Sequence, residues 1–425
     1  MAQGYTGYNI IDNEITIKDS PNIDAFGRLR VSNPLTIFSN QFTYDPTPLI
    51  FESYTNNPGA CQSFHDTTNR SMTIQMAGAN TSDYLYLQSY EYIPYQPGRS
   101  QLAFITFNLT LTGTLSADVD RYVGLGDDNN GLFLKWDGAT GRAEFVVRTQ
   151  TLAGSQVVSE SSWNLDKMNG TGPSGITIDF TKSQILVIDF QALYVGRVRM
   201  GFDVGGEIIY AHEFLNANVF QYPYIATANL PIRAGFFALN ITGVEEMSLI
   251  CCSVASEGGS EDAQRFGYNF SLDGSVLGLA AGPTLNYITS LRPLTSFFGY
   301  QNRAKFVLGS IDIINTGNRP AYFQLGIGAT IISPTYVSVN ANYSIMEYDT
   351  AGTSSIDPTL VFDSGYIPSG GGSKSVAVEE TVQSRYPITL DASGNPRDLG
   401  TLYMYGYGIG GTTDIYYSIR WKEIR

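Results

Sequence analysis

Histidine is nearly absent from this sequence, because His65 and His212 are the only two in 425 residues. The shortage excludes most catalytic schemes and metal sites that depend on imidazole groups. His212 precedes a glutamate, but no second histidine follows four residues later, so the zinc-protease pattern fails. Since His212 alternates in step with Tyr210 and Phe214, we expect its ring to lie near the core side of a strand.

Cysteine is also scarce, with Cys61 and the adjacent Cys251 and Cys252. These three residues do not make a disulfide framework, which favours folding in a reducing compartment. The N-terminus lacks the pattern of a signal peptide, and no run reaches the ~18 apolar residues of a membrane span. We therefore expect a protein that is made in a cytoplasm and has no membrane partner.

Positive charge is in the minority, with 25 Lys and Arg against 39 Asp and Glu, which gives a net charge of -14. The basic residues form no cluster along the chain. Because nucleic-acid binding depends on clustered Lys and Arg, we expect no nucleic-acid partner.

Runs of Ala, Leu, Glu and Lys that favour helices are missing, whereas 28 Tyr, 23 Phe and 44 Gly are present. Aromatic residues favour strands, and glycine favours turns. In the segment 197–204 (RVRMGFDV) every second residue is apolar, and Gly205-Gly206 then provides a two-residue reversal. The sequence predicts an all-β chain.

The spacing of the apolar segments, about ten residues, is typical of antiparallel β-sandwiches and jelly rolls. Because 425 residues exceed what one core usually serves, we expect two β-sandwich domains, at 51–255 and 263–425. The acidic, glycine-containing segment 256–262 is the predicted linker. Residues 1–50 place apolar side chains among prolines, which predicts an extended N-terminal arm.

Two blocks of the sequence resemble segments found in one group of known proteins. The segment 24–34 (DAFGRLRVSNP) resembles a block near the N-termini of structural proteins of tailed bacteriophages and related environmental viruses. The segment 185–202 (ILVIDFQALYVGRVRMGF), with 209–214 and 228–233, is similar to the same group, so the resemblance covers roughly the first 260 residues. It implies a virion component with a concanavalin-like sandwich, and it implies no known chemistry.

The first block contains an apolar anchor, Phe26, and two guanidinium groups, Arg28 and Arg30. In a strand, these alternate residues would point to the same side. Such residues are typical of subunit interfaces. The same residues would equally serve an intramolecular clasp of the arm on its own sandwich, and the sequence leaves both open.

The loop Gly124–Gly131 contains Asp127, Asp128 and Asn129, whose oxygens are of the kind that calcium prefers. Its glycine spacing matches no phosphate-binding motif. An ordinary turn between two strands has the same composition. The loop is therefore either a calcium-binding site or an ordinary turn.

Tyrosines are dense around residue 90, and Tyr84 and Tyr86 share one face of a predicted strand. Rings in such a row can stack on sugar rings or pack against a partner subunit, and the sequence does not separate the two.

A glycosidase of this fold class would need two carboxylates on facing positions. Asp179, Asp189 and Asp203 fall in or near predicted strands, but without the close spacing of acids expected of concanavalin-like glucanases. We expect these three side chains, with Arg197 and Arg199, to lie on solvated strand faces.

These observations favour a virion structural protein, exposed on the particle as a capsid decoration, head fibre or tail-associated component. It would work by assembly and surface display, not as an enzyme, with no cofactor. Its expected partners are other virion proteins and copies of itself, for example in a trimer. The alternatives are a carbohydrate-binding adhesin for a host-surface glycan, with or without calcium, and a glycosidase.

Overall fold

The computed structural model of the protein describes residues 8–11, 14–17, 23–26, 34–191, 193–241, 243–257, 267–377 and 387–425. The chain forms two compact units. Unit 1 comprises Met1–Thr47, Ser53–Gln88 and Tyr95–Ala263, and unit 2 comprises Pro48–Glu52, Ser89–Pro94 and Gln264–Arg425. The predicted linker at 256–262 falls mostly outside the described residues and stays a prediction. Within the described ranges, no helix is long and apolar enough to cross a membrane.

The described residues up to Glu257 form seventeen strands. They are β1 (Tyr8–Ile11), β2 (Glu14–Ile17), β3 (Leu35–Gln41), β4 (Phe51–Thr55), β5 (Cys61–Asp66), β6 (Ser71–Ala77), β7 (Tyr84–Ser89), β8 (Ser100–Asn108), β9 (Val119–Gly126), β10 (Gly131–Asp137), β11 (Arg142–Arg148), β12 (Gln156–Ser159), β13 (Gln184–Phe190), β14 (Val198–Val204), β15 (Glu207–Phe214), β16 (Ile232–Ala238) and β17 (Val244–Glu257).

Two sheets form the sandwich of unit 1. Seven strands lie in the order β12-β11-β10-β9-β16-β7-β4, and the other sheet has the order β15-β14-β13-β8-β17-β6-β5, with β3 also paired to β17. Phe145 of β11 stacks on Phe202 of β14 with ring centroids 6.0 Å apart. Arg121 of β9 forms an ion pair of 2.5 Å with Glu245 of β17. These contacts join the inner faces of the two sheets.

The hairpin predicted at Gly205-Gly206 is present. Val204 at the end of β14 pairs with Glu207 at the start of β15. Both glycines have positive φ, +67° and +87°, which a two-residue hairpin turn of this kind requires. The prediction is therefore confirmed at the level of the turn and its two strands.

Residues 23–26 of the predicted arm are held by unit 1 itself. Arg199 Nη2 donates to the carbonyl oxygen of Ile23 at 2.5 Å. Arg197 donates to the carbonyl oxygens of Asp24 and Ala25 at 3.3 and 3.2 Å. Ile23, Asp24 and Ala25 are buried. Of the two alternatives for the arm, these residues form an intramolecular clasp.

The strand β3 also lies within the predicted arm, but it pairs with β17 and is part of a sheet. Phe38 in this strand and Phe42 just after it are buried. Alternating apolar residues favour a strand wherever a neighbouring edge is available, and here β17 offers it. Residues 35–41 therefore belong to the sandwich.

Unit 2 contains a second sandwich. Its strands are β18 (Tyr268–Leu279), β19 (Asn286–Pro293), β20 (Ser296–Phe297), β21 (Tyr300–Gln301), β22 (Lys305–Asn315), β23 (Ala321–Ile327), β24 (Thr330–Ile332), β25 (Val337–Ser338), β26 (Met346–Asp349), β27 (Thr353–Ile356), β28 (Leu360–Ile367), β29 (Gly372–Ala377), β30 (Leu402–Gly408) and β31 (Thr413–Ile424). Four strands form one sheet, β18-β31-β22-β29, and six form another, β25-β26-β19-β30-β23-β28.

Both sheets of unit 2 contribute to one apolar core. Ile311, Ile419 and Trp421 come from the four-stranded sheet, and Phe323 and Met404 come from the six-stranded sheet. Apart from two short 3-10 helices, Glu160–Ser162 and Asp398–Gly400, the described elements are strands. The predicted all-β class with antiparallel sandwiches is confirmed.

Candidate functional site

One side of the seven-stranded sheet in unit 1 carries aromatic and basic side chains instead of the aliphatic ones that fill the core. Along β7, Leu85 and Leu87 point into the core, so Tyr84 and Tyr86 take the opposite side. We call this opposite side the tyrosine–arginine face. Its members are Tyr54, Tyr84, Tyr86, Gln88, Tyr122, Phe133, Arg148 and Arg233.

The tyrosine rings of the face contact one another in a row. Tyr54 and Tyr84 have ring centroids 5.1 Å apart, and Tyr84 stacks on Tyr86 at 5.7 Å with an interplanar angle of 22°. Tyr86 meets Tyr122 edge to face at 6.4 Å. Tyr54, Tyr84 and Tyr122 are half-buried, so the row remains partly open to solvent.

Gly235 makes this row possible. It lies between Tyr86 of β7 and Tyr122 of β9 in the register of the sheet. A Cβ atom on Gly235 would lie 2.0 Å from the carbonyl oxygen of Leu85, so another residue would force the strands apart. With no side chain between them, the two flanking tyrosine rings meet across β16.

Arg233 lies beside the tyrosine row and is almost fully buried. Its guanidinium carbon lies 4.6 Å from the ring centroid of Tyr86 and 5.6 Å from that of Tyr54. Its Nε donates to Gln88 Oε1 at 2.7 Å, and its Nη1 donates to Asp128 Oδ1 at 2.6 Å. The face therefore combines aromatic rings with a fixed cation and an acid.

The loop considered for calcium uses its oxygens within the protein. Asp127 Oδ1 accepts hydrogen bonds from the backbone N–H groups of Asn129 and Asn130 at 2.8 and 2.9 Å. Asp128 is paired with Arg233, and Arg148 donates to the carbonyl oxygen of Asp127 at 3.0 Å. The arrangement is a turn closed by two arginines. A calcium ion would have to displace these cations, and calcium binding by Asp127, Asp128 and Asn129 stays a prediction.

Burial raises the pKa of Tyr86, and it also raises the pKa of Tyr54 and of Tyr122. Their hydroxyl groups therefore remain protonated and can donate hydrogen bonds at any physiological pH.

A cluster of acids surrounds Lys135 farther along the same side of the sheet. Its Nζ contacts Asp120 Oδ2 at 3.1 Å, Asp137 Oδ1 at 3.2 Å and Glu144 Oε2 at 3.7 Å. Because all three contact one nitrogen, their oxygens lie closer together than the upper limit of ~9 Å for paired glycosidase carboxylates. Burial raises the pKa of Asp120 and of Glu144.

Asp120 and Asp137 are engaged through both of their carboxylate oxygens. The second oxygen of Asp120 accepts from the N–H of Gly138 at 2.9 Å, and that of Asp137 accepts from the hydroxyl of Thr140 at 2.5 Å. A nucleophile or general acid needs a free oxygen at the substrate. The contacts form an ion-pair network around Lys135, and none of the sequence-based acid candidates belongs to it.

Those sequence-based candidates have other environments. Asp189 and Arg199 are fully buried and paired, so the expectation of solvated faces is wrong for both. The reason is that Ile23–Phe26 cover this face. Asp179 lies in a loop, where it accepts hydrogen bonds from Thr181.

The expected core position of His212 is confirmed. Its side chain is buried, its Nδ1 accepts from the N–H of Asn164 at 3.2 Å, and its ring meets Phe214 edge to face at 4.6 Å. Burial lowers the pKa of His212 to about 4.

Of the interface candidates near the N-terminus, the structure describes Phe26, which lies outside the tyrosine–arginine face. The backbone N–H of Phe26 donates to Asp24 Oδ1 at 2.9 Å, beside the clasp on Arg197 and Arg199. Arg28 and Arg30 lie outside the described residues. A role of these three residues at a subunit interface stays a prediction.

Sequence reasoning found Tyr84 and Tyr86 but missed Arg233, Gln88 and Arg148. Arg233 lies in β16, which begins at Ile232. The alternation of Arg233 with Gly235 was the available signal, since both fall on the side opposite the core.

The fold places the chain in the class of all-β, antiparallel sandwich proteins. A scan against family models finds no match, and a search of curated proteins finds no similar sequence. Among solved structures, a glycosyl hydrolase family protein from Mycobacterium fortuitum is 14% identical, with a TM-score of 0.37, over 52% of this chain and 99% of that one.

Two further solved structures are similar at the same level. An endo-1,3-beta-glucanase from Streptomyces sioyaensis is 8% identical, with a TM-score of 0.36, over 53% of this chain and 97% of that one. Arcelin-5, a lectin-like defense protein from Phaseolus vulgaris, is 11% identical, with a TM-score of 0.30, over 52% and 99%. Similarity this weak assigns no activity to the chain.

Proposed function

We propose that the protein binds carbohydrate on the tyrosine–arginine face of unit 1. The observation that carries this proposal is the row of tyrosine rings beside a buried arginine. Sugar rings have apolar C–H faces and a rim of hydroxyl groups. A surface with ordered aromatic rings and a few fixed polar groups matches both features.

The polar groups of the face suit hydroxyl-rich ligands. The tyrosine hydroxyls remain protonated donors, and Asp128 offers an exposed carboxylate as acceptor. The rings are held by one another and by Arg233, so little side-chain freedom would be lost on binding. The acids around Lys135 are engaged with the lysine, which favours binding without hydrolysis.

A glycan array tests this proposal. The wild-type protein is expected to bind a defined subset of glycans, and Tyr84→Ala is expected to lose that binding. The matched control is Tyr44→Ala, since Tyr44 is 88% exposed and outside the face. If the protein binds no glycan, or if both variants behave like the wild type, the proposal is wrong.

A second candidate is a virion structural protein that works by assembly and surface display, as the resemblance of the two sequence blocks implies. One set of contacts favours it: Arg197 of the second block donates to the carbonyl oxygens of Asp24 and Ala25 in the first block, and Arg199 donates to that of Ile23 just before it. The two blocks are thus joined by structural contacts. Mass spectrometry of purified virus particles from the source should find this chain, and its absence would defeat the idea.

A further inference from the structure

Arg233 has more hydrogen-bonding capacity than its neighbours use. Its Nε and Nη1 have partners, but its Nη2 is buried and has no hydrogen-bond partner among the described residues. The Nε2 of Gln88, which pairs with Arg233 across β16 and β7, is also buried and has no partner there. Two neighbouring N–H donors therefore lack an acceptor.

A buried donor without an acceptor is unfavourable, and most strongly so when it carries charge. The flanking groups cannot supply the acceptor, because Tyr54 and Tyr86 present their ring faces to the guanidinium. Arginine binds carboxylates through two parallel N–H groups, whereas Asp128 accepts from Nη1 of Arg233 with one oxygen. A ligand carboxylate in the place of Asp128 could accept from Nη1 and Nη2 together, which would supply the acceptor that Nη2 lacks.

The ion pair between Arg233 and Asp128 is strongly asymmetric. The side chain of Arg233 is 1% exposed, whereas that of Asp128 is 51% exposed. Asp128 therefore approaches the guanidinium from the solvent side. An exposed carboxylate loses little solvation when it rotates away from its partner, so it can be replaced by a carboxylate from solution.

We infer that the tyrosine–arginine face is selective for sugars that carry a carboxylate, with Arg233 as the specificity-determining residue. Asp128 occupies the position of the ligand carboxylate in the free protein and competes with it. This inference rests on the proposed carbohydrate binding and names the class of sugar. The net charge of -14 does not attract an anion, so selectivity comes from short-range contact with Arg233.

The test uses pairs of ligands in which one member carries carboxylate groups and the other is neutral. Oligogalacturonate is compared with its neutral methyl ester, and sialyllactose is compared with lactose, by calorimetric titration of the full chain. At least one acid form is expected to bind the wild type about tenfold more tightly than its neutral counterpart. Asp128→Ala is expected to strengthen binding of the acid form severalfold relative to binding of its neutral counterpart.

Arg233→Met is expected to abolish the preference for the acid form. Because Arg233 is buried, the folding of this variant is checked by its melting temperature. If Arg233→Met does not fold, Asp128→Ala still decides the test, since Asp128 is exposed. Equal binding of acid and neutral forms, or weaker acid binding by Asp128→Ala, overturns the inference and leaves the proposed function standing. Absence of any glycan binding overturns both.

Discussion

Arg199 and Asp189 form an ion pair of 2.5 Å in which both side chains are fully buried. Asp189 also accepts hydrogen bonds from Ser100 at 2.7 Å and Tyr210 at 3.0 Å. Arg199 lies over the ring of Tyr210 at 4.2 Å and donates to Ile23. A charged pair at the centre of this network depends on the segment Ile23–Phe26 to exclude water.

Removing one partner of this pair should destabilise unit 1 strongly. Asp189→Ala leaves the buried guanidinium of Arg199 without its counter-charge, and such changes lower the free energy of unfolding by about 3–5 kcal/mol. The matched control is Arg420→Ala, because Arg420 and Asp312 form an exposed pair whose loss should lower it by less than about 1 kcal/mol. Urea unfolding measures both. Equal effects of the two changes would contradict the role given to Asp189.

Two truncations of the N-terminus should distinguish the contribution of the clasp to stability from that of the residues before it. Deleting residues 1–22 keeps Ile23–Phe26, whereas deleting residues 1–33 removes the carbonyl groups that bind Arg197 and Arg199. We expect the longer deletion to melt several degrees lower, since a destabilisation of 1 kcal/mol lowers Tm by about 2–4 °C in domains of this size. Identical melting temperatures for the two deletions would show that the clasp contributes nothing.

Much of the fold could be predicted from the sequence, because alternation and glycine turns are local signals. The strand 207–214 and the turn before it are where the pattern places them. The alternation of apolar and polar residues does not show whether the polar side of a strand is covered by another part of the chain. Asp189 and Arg199 were assigned to solvent because their cover comes from Ile23–Ala25, far away in the chain.

The same limit applies to the candidate site. Tyr84 and Tyr86 were predicted from the sequence to share one face, but Tyr54, Tyr122 and Arg233 were not placed beside them. Arg233 reaches Gln88 only through the register between β16 and β7, which a single sequence does not specify.

The buried histidine should make stability depend on pH. His212 titrates near 6.5 in the unfolded chain and at about 4 in the folded protein. Between these values the unfolded state binds more protons, so stability falls as the pH is lowered from about 6.5 towards 4. His212→Gln should flatten this dependence between pH 6.5 and 5, above the range where most carboxylates titrate. If the melting temperatures of the variant and the wild type fall in parallel as the pH is lowered, His212 is not the source of the pH dependence.

Gly235 should tolerate no side chain. Gly235→Ala would place a methyl group against the backbone of Leu85 and Tyr86, which should lower the free energy of unfolding by about 1–3 kcal/mol. Gly243→Ala is the control, because a Cβ atom there meets nothing within 4 Å. Chemical denaturation of the two variants decides the matter, and equal stability would mean that the strands separate without penalty.

The central claim is that the tyrosine–arginine face binds carbohydrate, and titration of one array-selected glycan into matched variants tests it most directly. We expect Tyr84→Ala and Tyr122→Ala each to weaken binding by at least about tenfold, while Tyr44→Ala binds like the wild type. Unchanged affinity in both face variants, with their folds intact, would contradict the account.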